Sequence, residues 1–268
     1  MDKKLYKSID LLKFISAFAV ICLHTRPFIN SNLEYFADTF FVMAVPFFFC
    51  TSSFFFHRKD NTSLFRYIKR LLLLYLIWFV IELPYVINKF DFCSFSGLKF
   101  FIWSLFFQNT FWASWFLMAL IISMLIVVPL NRKGHKFFLY TIGIICFVLS
   151  LFASMYNGLI SFLPRMPYGK AINSLLYYLS ASQSFILAIP YCILGIKLVN
   201  IDFEMSFKKE LFILLFLIAL AIIEAYLCIP ICSRQNASLL IIPIVFMSIY
   251  ICLRHEVNIS PIITVFLR

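Results

Sequence analysis

Apolar runs long enough for a membrane helix follow one another along almost the whole chain, parted by short polar or basic stretches. They fall at 8–27, 39–56, 71–87, 112–130, 137–156, 183–199, 211–230 and 238–253, the sixth broken by Pro190. None alternates every second residue, as a barrel strand would, so the pattern predicts helices. Two stretches are too short to cross comfortably. One is GLKFFIWSLFF, with 98–107 as its amphipathic part; the other is LLYYLSAS, inside the long loop 157–182 that carries Gly158, Pro164, Pro167 and Gly169. Both read as interfacial or re-entrant helices. Beyond Glu256 another apolar segment starts and stops at Arg268, too short to span. The expected fold is an all-α polytopic transmembrane bundle of about eight spans with short interfacial helices, one domain over 1–268.

Composition sharpens this picture. Charged residues make up 13% of the chain and its mean hydropathy is +0.96, which excludes an ordinary soluble domain. Thirty-five Phe residues point to lipid-facing surface. The net charge of +11 would suit nucleic acid or an acidic substrate, but the cations sit in short loops, where they set orientation. Lys and Arg crowd one set of alternate loops, from Lys3, Lys4 and Lys7 through Arg58 to Arg70 and on to Arg254, and are sparse on the other. That side, with the N-terminus, is expected to be cytoplasmic. A nucleic-acid partner is not expected, and the bilayer is. No small-residue cleavage site follows the first run, so a cleaved signal peptide is not expected either. The eight cysteines contain no CxxC and most lie in spans, where they read as small hydrophobes. Cys228 and Cys232 are expected to stay unpaired. The four His lack ligand spacing, so no metal is expected.

The chemistry concentrates in the first run, IDLLKFISAFAVICLHT, which keeps Asp10, Lys13 and His24 among apolar residues. Charges in a span are costly and are usually paired or functional. Lys13 and His24 are 11 positions apart, roughly three turns plus 20°, so they share a helix face about 16 Å apart along the axis. Asp10, three positions before Lys13, falls on the same face. The plain alternative is an Asp and a Lys near one interface and a His at the other. Glu82 and Glu224 fall in other spans at a depth similar to His24, as one polar cavity would need; the alternative is that each meets a local Ser or Tyr. His57, His135 and His255 stand beside Lys or Arg at span ends, where snorkelling explains them. His24 stands at the opposite end of its span, where that explanation does not apply.

An acidic residue, a basic residue, ten positions and a His in the first span resemble the acyltransferase 3 family of multi-pass membrane acyltransferases. The family's usual basic residue is Arg; Lys13 keeps the charge and lacks the planar fork. VPFFFCTSSFFFHRK resembles the family's second span, with Ser53 where a Gly stands, so the close backbone approach that Gly serves is expected to be missing. Arg66, Lys69 and Arg70 match in part its paired arginines entering the third span; ASWFLMALIISML and FILAIPYCILGIKL resemble later spans. The family usually continues through one or two more spans, so the resemblance implies a chain whose last spans are missing.

The resemblance implies an acyltransferase moving an acyl group, acetyl above all, from cytoplasmic acyl-CoA to a hydroxyl of an envelope polysaccharide or lipid-linked glycan. The expected setting is a bacterial plasma membrane. His24 would act as base, since imidazole exchanges protons near neutral pH. Lys13, beside Asp10, would hold the donor or the developing oxyanion, with Glu82 and Glu224 in the same cavity. Arg66, Lys69 and Arg70 would bind the CoA phosphates, or would merely anchor the helix end. Two rivals stay open. One is a transporter or flippase for a lipid-linked saccharide, which would also use broken helices and an intramembrane polar stripe. The other is the membrane module of a sensor or resistance protein.

Overall fold

The computed structural model describes residues 6–29, 34–56, 61–111, 114–161, 169–199, 204–228 and 236–257, and these are all-helical with no strand. The first helices are α1 (Lys7–Thr25), α2 (Glu34–Val42), α3 (Ala44–Phe56), α4 (Asn61–Ile81), α5 (Leu83–Lys89), α6 (Phe95–Phe107) and α7 (Trp115–Arg132). After them come α8 (Lys136–Phe152), α9 (Asn157–Ser161), α10 (Gly169–Tyr178), α11 (Phe185–Leu198), α12 (Phe207–Cys228) and α13 (Ile241–Arg254). The protein is an integral membrane bundle. By length and composition α1, Ala37–Phe56, α7 and α12 can each cross a bilayer, and the bent pair α4–α5 makes a fifth candidate. The apolar runs expected at 137–156, 183–199 and 238–253 fold as α8, α11 and α13, which are 17, 14 and 14 residues long.

The helix α11 is the axis around which the others pack. Nearly every side chain from Ile186 to Leu198 is buried, against α3, α7 and α8. Its backbone comes very close to α3: a Cβ built on Gly195 would lie 2.0 Å from the Cys50 carbonyl oxygen and 2.2 Å from Ser53 Oγ. The close approach expected to be missing at Ser53 is therefore made, with the absent side chain on α11 instead of α3. Small residues do this in membrane bundles because contact between helices, and not exclusion of water, holds them together. Ser123 Oγ donates to the Phe185 carbonyl at 3.3 Å and adds a polar stitch between α7 and α11. Pro190 does not break α11, which runs on through it. The tight packing on three sides holds the helix across the carbonyl that the proline leaves without its N–H partner.

The third apolar run differs from expectation. Its helix starts at Asn61, ten positions before 71, and ends at Ile81, where the chain turns by 73° into α5. Pro84 at the start of α5 explains the corner, since proline suits a first turn and not a helix interior. The piece around 98–107 is α6, capped by Ser94, whose hydroxyl accepts from the Gly97 N–H at 3.1 Å. The LLYYLSAS region supplies the end of α10 and the turn after it. Around α11, α1 packs on α2, α3 and α13, and α12 pairs with α13. The faces that α4 and α12 leave exposed carry Leu73, Ile77, Val80, Phe212, Leu215 and Phe216 and form lipid-facing surface. Phe47 and Phe49, by contrast, are core. His57, Arg58, Lys59, Pro164, Pro167, Cys232 and the apolar tail after Val257 lie outside the described residues.

Candidate active site

The stripe expected on α1 is present. Lys13 Nζ lies 3.2 Å from Asp10 Oδ1 and 4.4 Å from the centroid of the Phe55 ring. A carboxylate and an aromatic face together compensate an ammonium inside an apolar segment. One turn further along the same face, Ala17, Val20 and then His24 line a cavity of about 300 Å³. α3 contributes Val45 and Phe48 to it, and α7 contributes Trp115 and Phe116. The stripe is therefore one continuous face, charged at one end, small in the middle and imidazole at the other. Lys13 itself does not line the cavity.

Two amides also reach this cavity, Gln183 just before α11 and Asn236 just before α13. Neither was singled out from the sequence, although Gln183 opens the apolar run 183–199. Their placement is well supported. The Gln183 N–H donates to the Ser180 carbonyl at 2.8 Å, and Asn236 Nδ2 to the Ser182 carbonyl at 3.3 Å. The start of α7 is set by Ser114, whose hydroxyl accepts from the Thr110 and Phe111 N–H groups at 2.9 and 3.2 Å. Phe116 stacks on the buried Phe49 at 4.9 Å, which fixes that wall. An imidazole and two amides in an otherwise apolar lining are groups that can accept a proton and donate hydrogen bonds to an anionic oxygen.

A second and larger cavity, of about 750 Å³, shares Gln183 with the first. Its wall runs from Lys89 at the end of α5, through Gln108 and Asn109, to α10 and the turn 177–183. Ser180 in that turn adopts the left-handed region at φ 44°. Non-glycine residues held so are often found at binding sites.

Neither expected glutamate lines either cavity. Glu82 sits at the corner between α4 and α5. The Glu224 carboxylate is occupied by three donors: the Tyr156 hydroxyl at 2.5 Å, the Ser238 hydroxyl at 2.6 Å and the Leu239 N–H at 2.9 Å. That arrangement ties α12 to the turns beside α8 and α13, and it matches the local alternative of a Glu meeting Ser and Tyr. Arg66, Lys69 and Arg70 are exposed, on the side of α4 opposite its packed stripe of Leu64, Ile68, Leu71 and Tyr75. His255 does not snorkel: its Nε2 is 2.7 Å from Oε2 of Glu210, whose side chain is fully buried. Among the described residues no three His, Cys, Asp or Glu cluster as metal ligands.

The family described as "Acyltransferase domain", acyltransferase 3, matches residues 6–267. Among curated proteins, one named an amino-acid racemase from Enterococcus faecalis is 30% identical over 161 residues, covering 58% of this chain. The chain spans only 23% of that protein's length. No solved structure matches.

Proposed function

The chain belongs to the acyltransferase 3 family of membrane acyltransferases, and from that premise we propose that it is an O-acyltransferase. It takes an acyl group, acetyl first among them, from cytoplasmic acyl-CoA and passes it to a hydroxyl of an envelope polysaccharide or lipid-linked glycan. Its place is a bacterial plasma membrane, N-terminus inside. The observation that carries this reading is His24 lining a small cavity that shares Gln183 with a large polar one. One brings an imidazole and two amides around a reactive carbonyl, and the other has room for the acceptor.

In this reading His24 draws the proton from the acceptor hydroxyl as its oxygen attacks the thioester carbonyl. The C–O bond forms, the C–S bond breaks, and the imidazolium returns the proton to the departing CoA sulfur. Gln183 and Asn236 face the oxygen that becomes negative. Lys13 cannot share that task. Eleven positions of a continuous helix separate the two residues by about 16 Å, whereas base and oxyanion donor must each lie about 3 Å from the reacting atoms. Lys13, oriented by Asp10, therefore meets the donor further down its length. The small side chains of Ala17 and Val20 leave room for the donor's arm between Lys13 and His24. Arg66, Lys69 and Arg70 gather its phosphates at the membrane surface, outside the transfer cavity.

The 73° corner between α4 and α5, beside the large cavity, favours a second reading, a transporter for a lipid-linked saccharide. Mass spectrometry of envelope glycans from cells carrying wild-type or His24→Ala protein separates the two. Loss of an acyl ester with unaltered glycan export supports transfer. An unchanged ester pattern removes the catalytic role, and loss of export favours the transporter.

A further inference from the structure

The large cavity has a wall of definite chemistry. Gln108, Asn109, Asn157 and Asn173 bring amides to it, and Ser174, Ser180 and Ser182 bring hydroxyls. Each amide offers both donors and an acceptor, and each hydroxyl does the same with one atom, which is what a polyol needs from a binding surface. Tyr177 and Tyr178 add aromatic rings suited to the apolar faces of sugar rings. Tyr178 is held flat against Trp103 at 4.0 Å between ring centroids, and Trp103 in turn against Phe107 at 3.8 Å.

The wall also has a charge. Among the described residues that line it, Lys89 is the one ionisable side chain apart from the tyrosines, and none is Asp or Glu. The ammonium is tethered to one edge by a hydrogen bond to the Asn109 carbonyl. An ammonium carries three donors, so this bond leaves it others to offer. The rings of Tyr85 and Phe90 stand near it, with centroids 5.7 and 5.3 Å away. No carboxylate among the described lining residues answers this charge. Contrast Lys13, which has Asp10 at 3.2 Å.

We propose that this cavity binds an acidic glycan, in which a carboxylate or phosphate on one sugar meets Lys89 while a neighbouring sugar stacks on Tyr177 and Tyr178. Gln183, common to both cavities, is where the bound chain presents its hydroxyl to His24. This last step rests on the acyltransferase reading; the binding does not.

Binding is therefore measured without turnover, on purified protein in nanodiscs, by titration with three soluble oligosaccharides of equal length. One carries uronic acids, one carries sugar phosphates and one is neutral. The wild type is expected to bind one or both acidic probes about tenfold more tightly than the neutral one. The tighter of the two identifies the acid. Lys89→Gln is expected to abolish this preference and leave neutral binding unchanged, while Lys89→Arg keeps it. Tyr177→Ala is expected to weaken all three probes alike. His24→Ala is expected to bind as the wild type does, so a failure of the catalytic reading would leave these results standing. Equal binding of acidic and neutral probes, or a preference that survives Lys89→Gln, overturns the proposal.

Discussion

Single residues separate chemistry from scaffolding here. His24 and Glu224 both read in the sequence as ionisable groups within apolar runs, and their surroundings are opposite. His24 lines a cavity, whereas Glu224 receives three hydrogen bonds from two neighbouring segments. Their substitutions should differ in kind. His24→Ala should lower turnover by about 10²- to 10⁴-fold, the usual worth of a positioned base, with little change in thermal midpoint. Glu224→Ala strands a tyrosine hydroxyl, a serine hydroxyl and a backbone N–H, and should cost about 2–3 kcal/mol of stability. A melting curve in detergent beside an acyl-transfer assay reads both. A Glu224→Ala protein that melts like the wild type would contradict the anchoring role. The first residue was legible because His24 stands in the first apolar run on the helix face it shares with Lys13. For the second, a Ser or Tyr partner was one of two readings, and which residues they are was not legible, because the partners lie 68, 14 and 15 positions away in the chain.

Elements show the same divide between pattern and contact. The apolar runs announced the helices, whereas the LLYYLSAS stretch expected to be helical holds only the last turn of α10. The corner after α4 was not legible, because Glu82 and Pro84 are isolated within the apolar run 71–87. Nor did the run of small and aromatic residues in α3 reveal which helix would approach it. Gly195 provides that approach, and a methyl group there meets a carbonyl oxygen that cannot swing aside. Gly195→Ala should cost about 2–3 kcal/mol, and Gly195→Val should prevent accumulation of folded protein. Membrane-fraction yield and melting decide this; a stable Gly195→Val protein would show that α3 and α11 do not touch there. At the start of α6, hydrogen bonds from Ser94 and from the Cys93 N–H hold the Asp91 carboxyl below its ordinary value. A lowered value means the ionised form is favoured in the fold. The stabilisation is present above the ordinary carboxylate range and disappears as pH falls through the lowered one. Hydrogen exchange in the first turn of α6 should therefore accelerate on acidification, and Asp91→Asn should flatten that response.

At the scale of the whole molecule the chain closes on itself. The Ser8 hydroxyl in the first turn of α1 donates to the His255 carbonyl at 2.7 Å and accepts from the Val257 N–H at 2.8 Å. His255 in turn reaches Glu210 on α12, and the Arg254 guanidinium lies 3.7 Å from the same carboxylate. None of this was legible in the sequence, since two of the partners stand 247 positions apart and the histidine resembled its snorkelling neighbours. The junction joins three helices at the end of α1 that carries Lys13. Its partners are unequally exposed, at 38% for His255 and zero for Glu210, and that asymmetry gives a prediction. Removing a partner from a buried charge leaves the charge without compensation, whereas removing the charge leaves partners that water can still reach. His255→Ala should therefore destabilise the protein by about 2 kcal/mol, more than Glu210→Gln does, and His255→Leu combined with Glu210→Leu should recover much of the loss. Thermal melting of the single and double variants measures this directly. If Glu210→Gln proves the more damaging change, the carboxylate holds the helices by a stronger bond than its geometry to His255 provides, and the Arg254 contact becomes the principal one.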